Sequence, residues 1–197
     1  MAQTFTDLGR IEAIRQLFEG TGFRPFEEPL WFEAKSQECI TTASALLLEG
    51  IDFNLVYFPL QHLGRKAVLR VTGELHAVLA RPETLSVQLG VSAKLDFPQV
   101  QELWKGVAAT AKEFGYKHLS LDLQPSRNGL TIALSATGRH SAAVSAAVSA
   151  ARPQPQSKDL VCVGGALGAA FLGLQVLERE RVKFEQGSTD QKVLEQY

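Results

Sequence analysis

Cysteine is nearly absent from this chain. The two present, Cys39 and Cys162, stand far apart with no histidine or second cysteine at metal-ligand spacing, so they read as buried, reduced thiols. The histidines, at positions 62, 76, 118 and 140, are scattered without catalytic or metal spacing and receive no role. An excess of charge of one sign is also missing. With 20 basic residues against 21 acidic, a net of -1, there is no overall field to attract a polyanion, which excludes nucleic acid as a partner. No apolar run approaches the ~20 residues that cross a bilayer. The opening MAQTFTDLGR lacks the charged-then-apolar pattern of a leader. A cytosolic protein without a membrane partner is expected.

What the chain does have is an ordinary globular composition, 45% hydrophobic and 21% charged, which argues against wholesale disorder. Its 197 residues allow one domain, or one domain with a fragment of another attached. Residues 7–19 place Leu8, Ile11, Ile14, Leu17 and Phe18 at helical spacing, and Gly20 and Gly22 end the pattern. Residues 27–37 show no clean period and stay open between a ragged strand and a loop. From Glu38 the sequence ECITTASALLL reads as a strand. After Glu49-Gly50 the alternation of Ile51, Phe53 and Leu55 reads as another, ended by Pro59.

Residues 61–71 run without a breaker into GELHAVLARP. There Leu75, Val78 and Leu79 share a helical face, and Pro82 imposes the stop. Residues 83–91 alternate as a strand. From Asp96 to Gly115, apolar residues at Val100, Leu103, Trp104, Val107, Ala108, Ala111 and Phe114 predict a helix. HLSLDLQ and LTIALSATG then form two strands of a hairpin, joined through Pro125-Ser126-Arg127-Asn128-Gly129. Residues 140–158 turn abruptly to alanine, serine, proline and glutamine, the composition of a weakly ordered linker, although SAAVSAAVSAA has the alanine propensity for a short helix. From Asp159 a strand, a glycine-rich turn and a helix follow. The expectation is an α+β fold: one main mixed or antiparallel sheet with helices on one face (1–139), a linker (140–158), and the start of a second, α/β domain (159–197) that is incomplete at Tyr197.

Several of these segments carry a resemblance. LLLEGIDFNLVYFPLQHLGRKAV, residues 46–68, resembles the stretch in bacterial thiamine-monophosphate kinases where D-x-L-V-E-G-V-H-F leads to P-x-x-L-G-x-K-A. Gly73 to Pro82 is similar to that family's S-D-I-A-A-M-x-A-x-P helix, and Leu119 to Gly138 to its G-G-D-T and G-L-V-I-S-V-T-x-x-G strands. Asp159 to Glu180 resembles its D-L-I-C-V-S-G-x-L-G-A-A segment. The order and spacing hold from about residue 40 to about residue 185. The resemblance implies the fold of the aminoimidazole ribonucleotide synthetase superfamily, whose N-terminal domains pair across a two-fold axis through their sheets. It implies ATP and thiamine phosphate as ligands, a homodimer, and transfer of the γ-phosphoryl group to thiamine monophosphate. Transfer between two anions depends on positioning and on charge neutralisation, so Mg2+ held by carboxylates would supply most of the catalysis.

The acids therefore decide how much of that chemistry the chain keeps. The family's early G-D-D-A-A turn falls on Glu27-Glu28-Pro29-Leu30-Trp31, where Glu28 alone stands at an aspartate position and a solvated loop is the stronger reading. The acid leading the next motif falls on Ala45, which cannot coordinate a metal. At the S-D position stand Gly73 and Glu74. Glu74 reads equally as a metal ligand, though its oxygens lie more than about 1 Å from where an aspartate's would, or as a favourable acid in the first turn of a helix. Asp122 matches the aspartate of G-G-D-T, with Ser120 and Leu121 in place of the glycines. It is the best remaining metal candidate, against the stronger reading of a surface-facing strand acid. The run Gly164-Gly165-Ala166-Leu167-Gly168 reads as a phosphate-cradling turn, with nucleotide contacts from Gly164, Gly165 and Gly168, or as close packing of turn against strand. No catalytic residue is assigned. Two functions follow: a thiamine-monophosphate kinase impaired by lost ligands, needing Mg2+ and ATP where active, or a non-catalytic, dimerising binding or assembly protein on the same scaffold.

Overall fold

A computed structural model describes residues 8–25, 38–141, 143–144 and 156–185. The chain divides into two units, Met1–Pro153 and Gln154–Tyr197. In the first unit α1 is Arg10–Phe18, β1 is Glu38–Leu48, α2 is Leu60–Ala77, β2 is Arg81–Ser92, α3 is Phe97–Glu113, β3 is His118–Ser126 and β4 is Thr131–Ser141. Helix α3 begins where it does because Asp96 closes a capping box: its side chain accepts the Gln99 N–H, the Gln99 side chain accepts the Asp96 N–H, and Pro98 occupies the first turn. Helix α2 ends five residues before Pro82, not at it. Leu79 takes a left-handed conformation with φ of 58°, and Ala80 N–H closes back on the Leu75 carbonyl. Leu79 thus leaves the helical face expected of it and is exposed, while Pro82 enters β2 beside a register shift, where its missing N–H costs no ladder bond.

The four strands form one mixed sheet in the order β1-β4-β2-β3. Strand β4 runs antiparallel to both β1 and β2, and β2 runs parallel to β3. The expected hairpin of β3 with β4 is therefore not formed. With α3 as the crossover, β2 and β3 make a parallel unit, and residues 127–130 carry the chain past the end of β2 to its far side. The register shows this, with Ser92 opposite Ser126 and Gly90 opposite Thr131. Four residues can span the roughly 10 Å of two strand spacings, so the Asn128-Gly129 turn serves a strand-skipping link as readily as a tight hairpin.

One face of the sheet carries Ala43, Leu47, Leu85, Val87, Leu89, Leu119, Leu123, Ile132, Leu134 and Ala136, all buried in one core with Leu63, Val71 and Leu75 of α2. The other face is polar. Ser44 pairs with Ser135 at 3.0 Å, Thr84 with Thr137 at 2.6 Å, and Gln88 donates to Ser86 at 2.9 Å. Residues 51–58, expected as a strand, are turns joined by a single bridge between Glu49 and Phe53. Asp52 accepts the Leu48 N–H and Asn54 the Val56 N–H, local bonds that compete with a ladder.

In the second unit the helix α4 spans Ala169–Glu185. The segment 159–163 forms no strand, and its side chains are exposed. Cys162 is exposed and Cys39 half-buried, so neither thiol is buried as expected. Strand β4 runs through His140 and Ser141, two residues into the alanine-serine stretch. Most of 140–158, all of 27–37 and the tail after Glu185 lie outside the described residues.

Candidate functional site

Asp122 projects from the polar face of the edge strand β3, opposite Gln88. Its carboxylate is bonded to the guanidinium of Arg10 at the start of α1, 112 positions away in sequence, and Gln124 donates to the same oxygen at 3.4 Å. The pair is about half exposed. Arg10 stands between two clefts. One, of about 730 Å³, runs between α1 and β3. The other, of about 1060 Å³, lies at the carboxyl ends of the parallel strands, between the β2–α3 loop at Ser92–Asp96 and the end of β3 at Leu123–Arg127.

Among the described residues of the first unit, the other acid candidate, Glu74, is paired elsewhere than at Asp122. Glu74 lies in the last turn of α2 rather than the first, where the helix field disfavours an acid, and it is 3.8 Å from Arg70 one turn back. Ala45, at the position of the family's leading acid, sits partly buried on the covered face, where a carboxylate would be pressed into the core. Glu28 lies outside the described residues. Gly164, Gly165 and Gly168 belong to the second unit. Gly165 and Gly168 have φ of 103° and 94°, and a Cβ at any of the three would meet nothing within 4 Å. Backbone conformation rather than close packing therefore accounts for Gly165 and Gly168. Among the described residues no group of three His, Cys, Asp or Glu is placed to hold a metal. Among the described residues these donors do not fit a magnesium site: the Asp122 carboxylate is held by Arg10, and Glu74 stands beside Arg70 on the last turn of α2.

The motif residues shared with the kinases have structural work in this unit. Glu49 accepts the Leu130 N–H at 2.7 Å and so ties the end of β1 to the start of β4. Lys66 donates to the Asp52 carbonyl and lies 5.2 Å above the Phe58 ring. Gly64 and Gly106 bring α2 and α3 together: a Cβ on Gly64 would collide with the Leu103 carbonyl, and one on Gly106 with that of Gln61. Lys94 and Arg127, at the mouth of the larger cleft, were not singled out by sequence. A lone lysine and a lone arginine in separate loops carry no motif, and neither does Arg10.

This arrangement is an α+β domain built on one mixed, four-stranded sheet. Residues 30–140 match the family described as AIR synthase related protein, N-terminal domain, and the chain belongs to that family. Among solved structures it is similar to the Escherichia coli hydrogenase maturation protein HypE, with 16% identity, a TM-score of 0.51, and coverage of 66% of this chain and 43% of that one. It is also similar to thiamine-monophosphate kinase from Stenotrophomonas maltophilia K279a, with 19% identity, a TM-score of 0.47, and coverage of 55% and 33%. A third is HypE in complex with ATP, with 19% identity, a TM-score of 0.47, and coverage of 68% and 38%. The chain thus spans less than half the length of each. No curated protein matches it. Among the described residues no helix is long and apolar enough to cross a membrane.

Proposed function

We propose that this chain is a non-catalytic, dimer-forming binding or assembly module on the kinase-like scaffold, working in the cytoplasm. On this reading residues 1–139 are the binding domain, 140–158 a linker and 159–197 the start of a second domain. The observation that carries it is the bond between Arg10 and Asp122: the one aspartate retained at a family aspartate position faces a cation of the chain itself. Phosphoryl transfer to a phosphate acceptor opposes two anions. Without two or more placed cations, such as the magnesium ions a carboxylate cluster would hold, that repulsion is not relieved. The polar sheet face, with two edge strands, supplies the pairing surface.

The second reading, a weak thiamine-monophosphate kinase using Mg2+ and ATP, is favoured by the position of Asp122 in β3 beside the clefts. A coupled assay of ADP release with thiamine monophosphate and Mg-ATP separates the two. No turnover is expected. A rate near about 1 per second, within the ordinary enzyme range, and its loss in Asp122→Ala would restore the kinase.

A further inference from the structure

We infer that the cleft between the β2–α3 loop and the end of β3 is a metal-independent binding site for an oxyanion, a phosphate or carboxylate carried on an apolar or planar body. This rests on the reading above in one respect, that the site works without a metal held by Asp122.

The argument comes from counting which polar atoms at the cleft are already engaged. Of the two acids nearby, Asp122 is bonded to Arg10, and Asp96 accepts the Gln99 N–H through one oxygen as the cap of α3. The Gln99 carbonyl oxygen accepts the Asp96 N–H, so its amide protons are what remain. Ser92 is buried and its Oγ accepts the Lys94 N–H at 3.2 Å, while the Ser126 Oγ accepts the Asn128 N–H at 3.2 Å. Each hydroxyl therefore keeps its own proton to donate. Lys94 and Arg127 line the cleft, are exposed, and have no ion-pair partner among the described residues. Donors are thus prominent among the remaining atoms, and the two unpaired cations outnumber the one carboxylate lining the cleft, Asp96. That combination suits an anion and repels a free cation.

The floor is a different surface. Val91, Leu95 and Leu123 are each under a tenth exposed and close the cleft from below. A ligand with an apolar or planar body can lie on them while its oxyanion faces Lys94 and Arg127. The location agrees with the general rule that ligands of parallel strands bind in the crevice beyond their carboxyl ends, where β2 and β3 both terminate here. The carboxylates of an orthodox magnesium-phosphate site are replaced by the chain's own cations.

The test is calorimetry on the whole chain with pyrophosphate, with ATP and with benzoate, each in EDTA and again in magnesium. The site predicts saturable binding in EDTA, weakened by salt. It also predicts a loss of about tenfold or more in Lys94→Ala/Arg127→Ala, since charge-assisted bonds contribute that much or more, and no loss in Lys112→Ala on the outer turn of α3. Because both cleft residues are exposed, the double variant keeps its fold, which an unchanged thermal unfolding curve verifies. ATP or benzoate tighter than pyrophosphate supports the site with its apolar floor, and pyrophosphate tightest overturns the apolar or planar body. No binding in EDTA, binding that requires magnesium, or binding unchanged in the double variant overturns it. Turnover in the kinase assay would defeat the non-catalytic reading and leave an EDTA-resistant site standing. Loss of the site would leave the non-catalytic reading untouched.

Discussion

Arg65 and Glu113 show how a single charged pair can tie two helices of this domain together. The Arg65 guanidinium grips both oxygens of Glu113, one of them at 3.1 Å, and so links α2 to α3. The bonds from Arg65 hold the Glu113 carboxyl below the ordinary carboxylate range, opposed by some desolvation and helped further by the Arg65 charge. A carboxyl lowered in the folded state stabilises above its unfolded value, and that contribution is lost as pH falls through the lowered one. The pair is exposed, so the contribution is small. Urea midpoints measured from neutral pH downward should fall on the acid side, and Glu113→Gln should make that fall shallower. An identical acid limb in the variant would assign the pH dependence to other acids. Arg10 and Asp122 form a second such pair, but their separation by 112 positions hid it from any local reading. Asp122 was recognisable as an acid before a turn. Its partner was not.

Helices and strands differ in how far their own residues announce them. The Asp96 capping box and the apolar spacing from Val100 to Ala111 mark α3 without help from the rest of the chain. The glycines of α2 are another matter, because sequence alone does not separate one that permits contact from one that merely weakens a helix. Gly64 faces the backbone of α3, where an added methyl has no room, whereas Gly73 on the same helix meets nothing within 4 Å. Gly64→Ala should destabilise by about 1–3 kcal/mol through overpacking. Gly73→Ala should stabilise by about 0.4–1 kcal/mol through the lost entropy of the unfolded chain. Urea unfolding of both reads the contrast, and equal effects would mean that α2 and α3 do not approach as described. The β3–β4 link failed as a hairpin for a related reason: turn chemistry specifies a reversal of direction, and only the neighbouring strand determines whether the reversal crosses one spacing or two.

For the molecule as a whole, the sheet's polar face and its two edges set the expected assembly. Strand β1 has one neighbour among the described residues, and Ile40 and Leu46 are exposed on its polar-face side. Pairing through this sheet would protect those edges. Sedimentation velocity at micromolar concentration should show a dimer, and a monomer alone would remove that part of the proposal. Lys94 and Arg127 meet at one cleft because β2 and β3 run parallel and end together, a fact of topology. Periodicity and composition sufficed for α1, β1, α3 and the α+β class, since these depend on contacts within a few residues or on the alternation of a buried face. Strand order, the turns at 51–58, the early end of α2, the engagement of Asp122 and the gathering of free donors at one cleft depend on which distant segments become neighbours. A linear chain does not encode that in any local pattern, because the deciding free energies arise between residues that meet only after the sheet has formed.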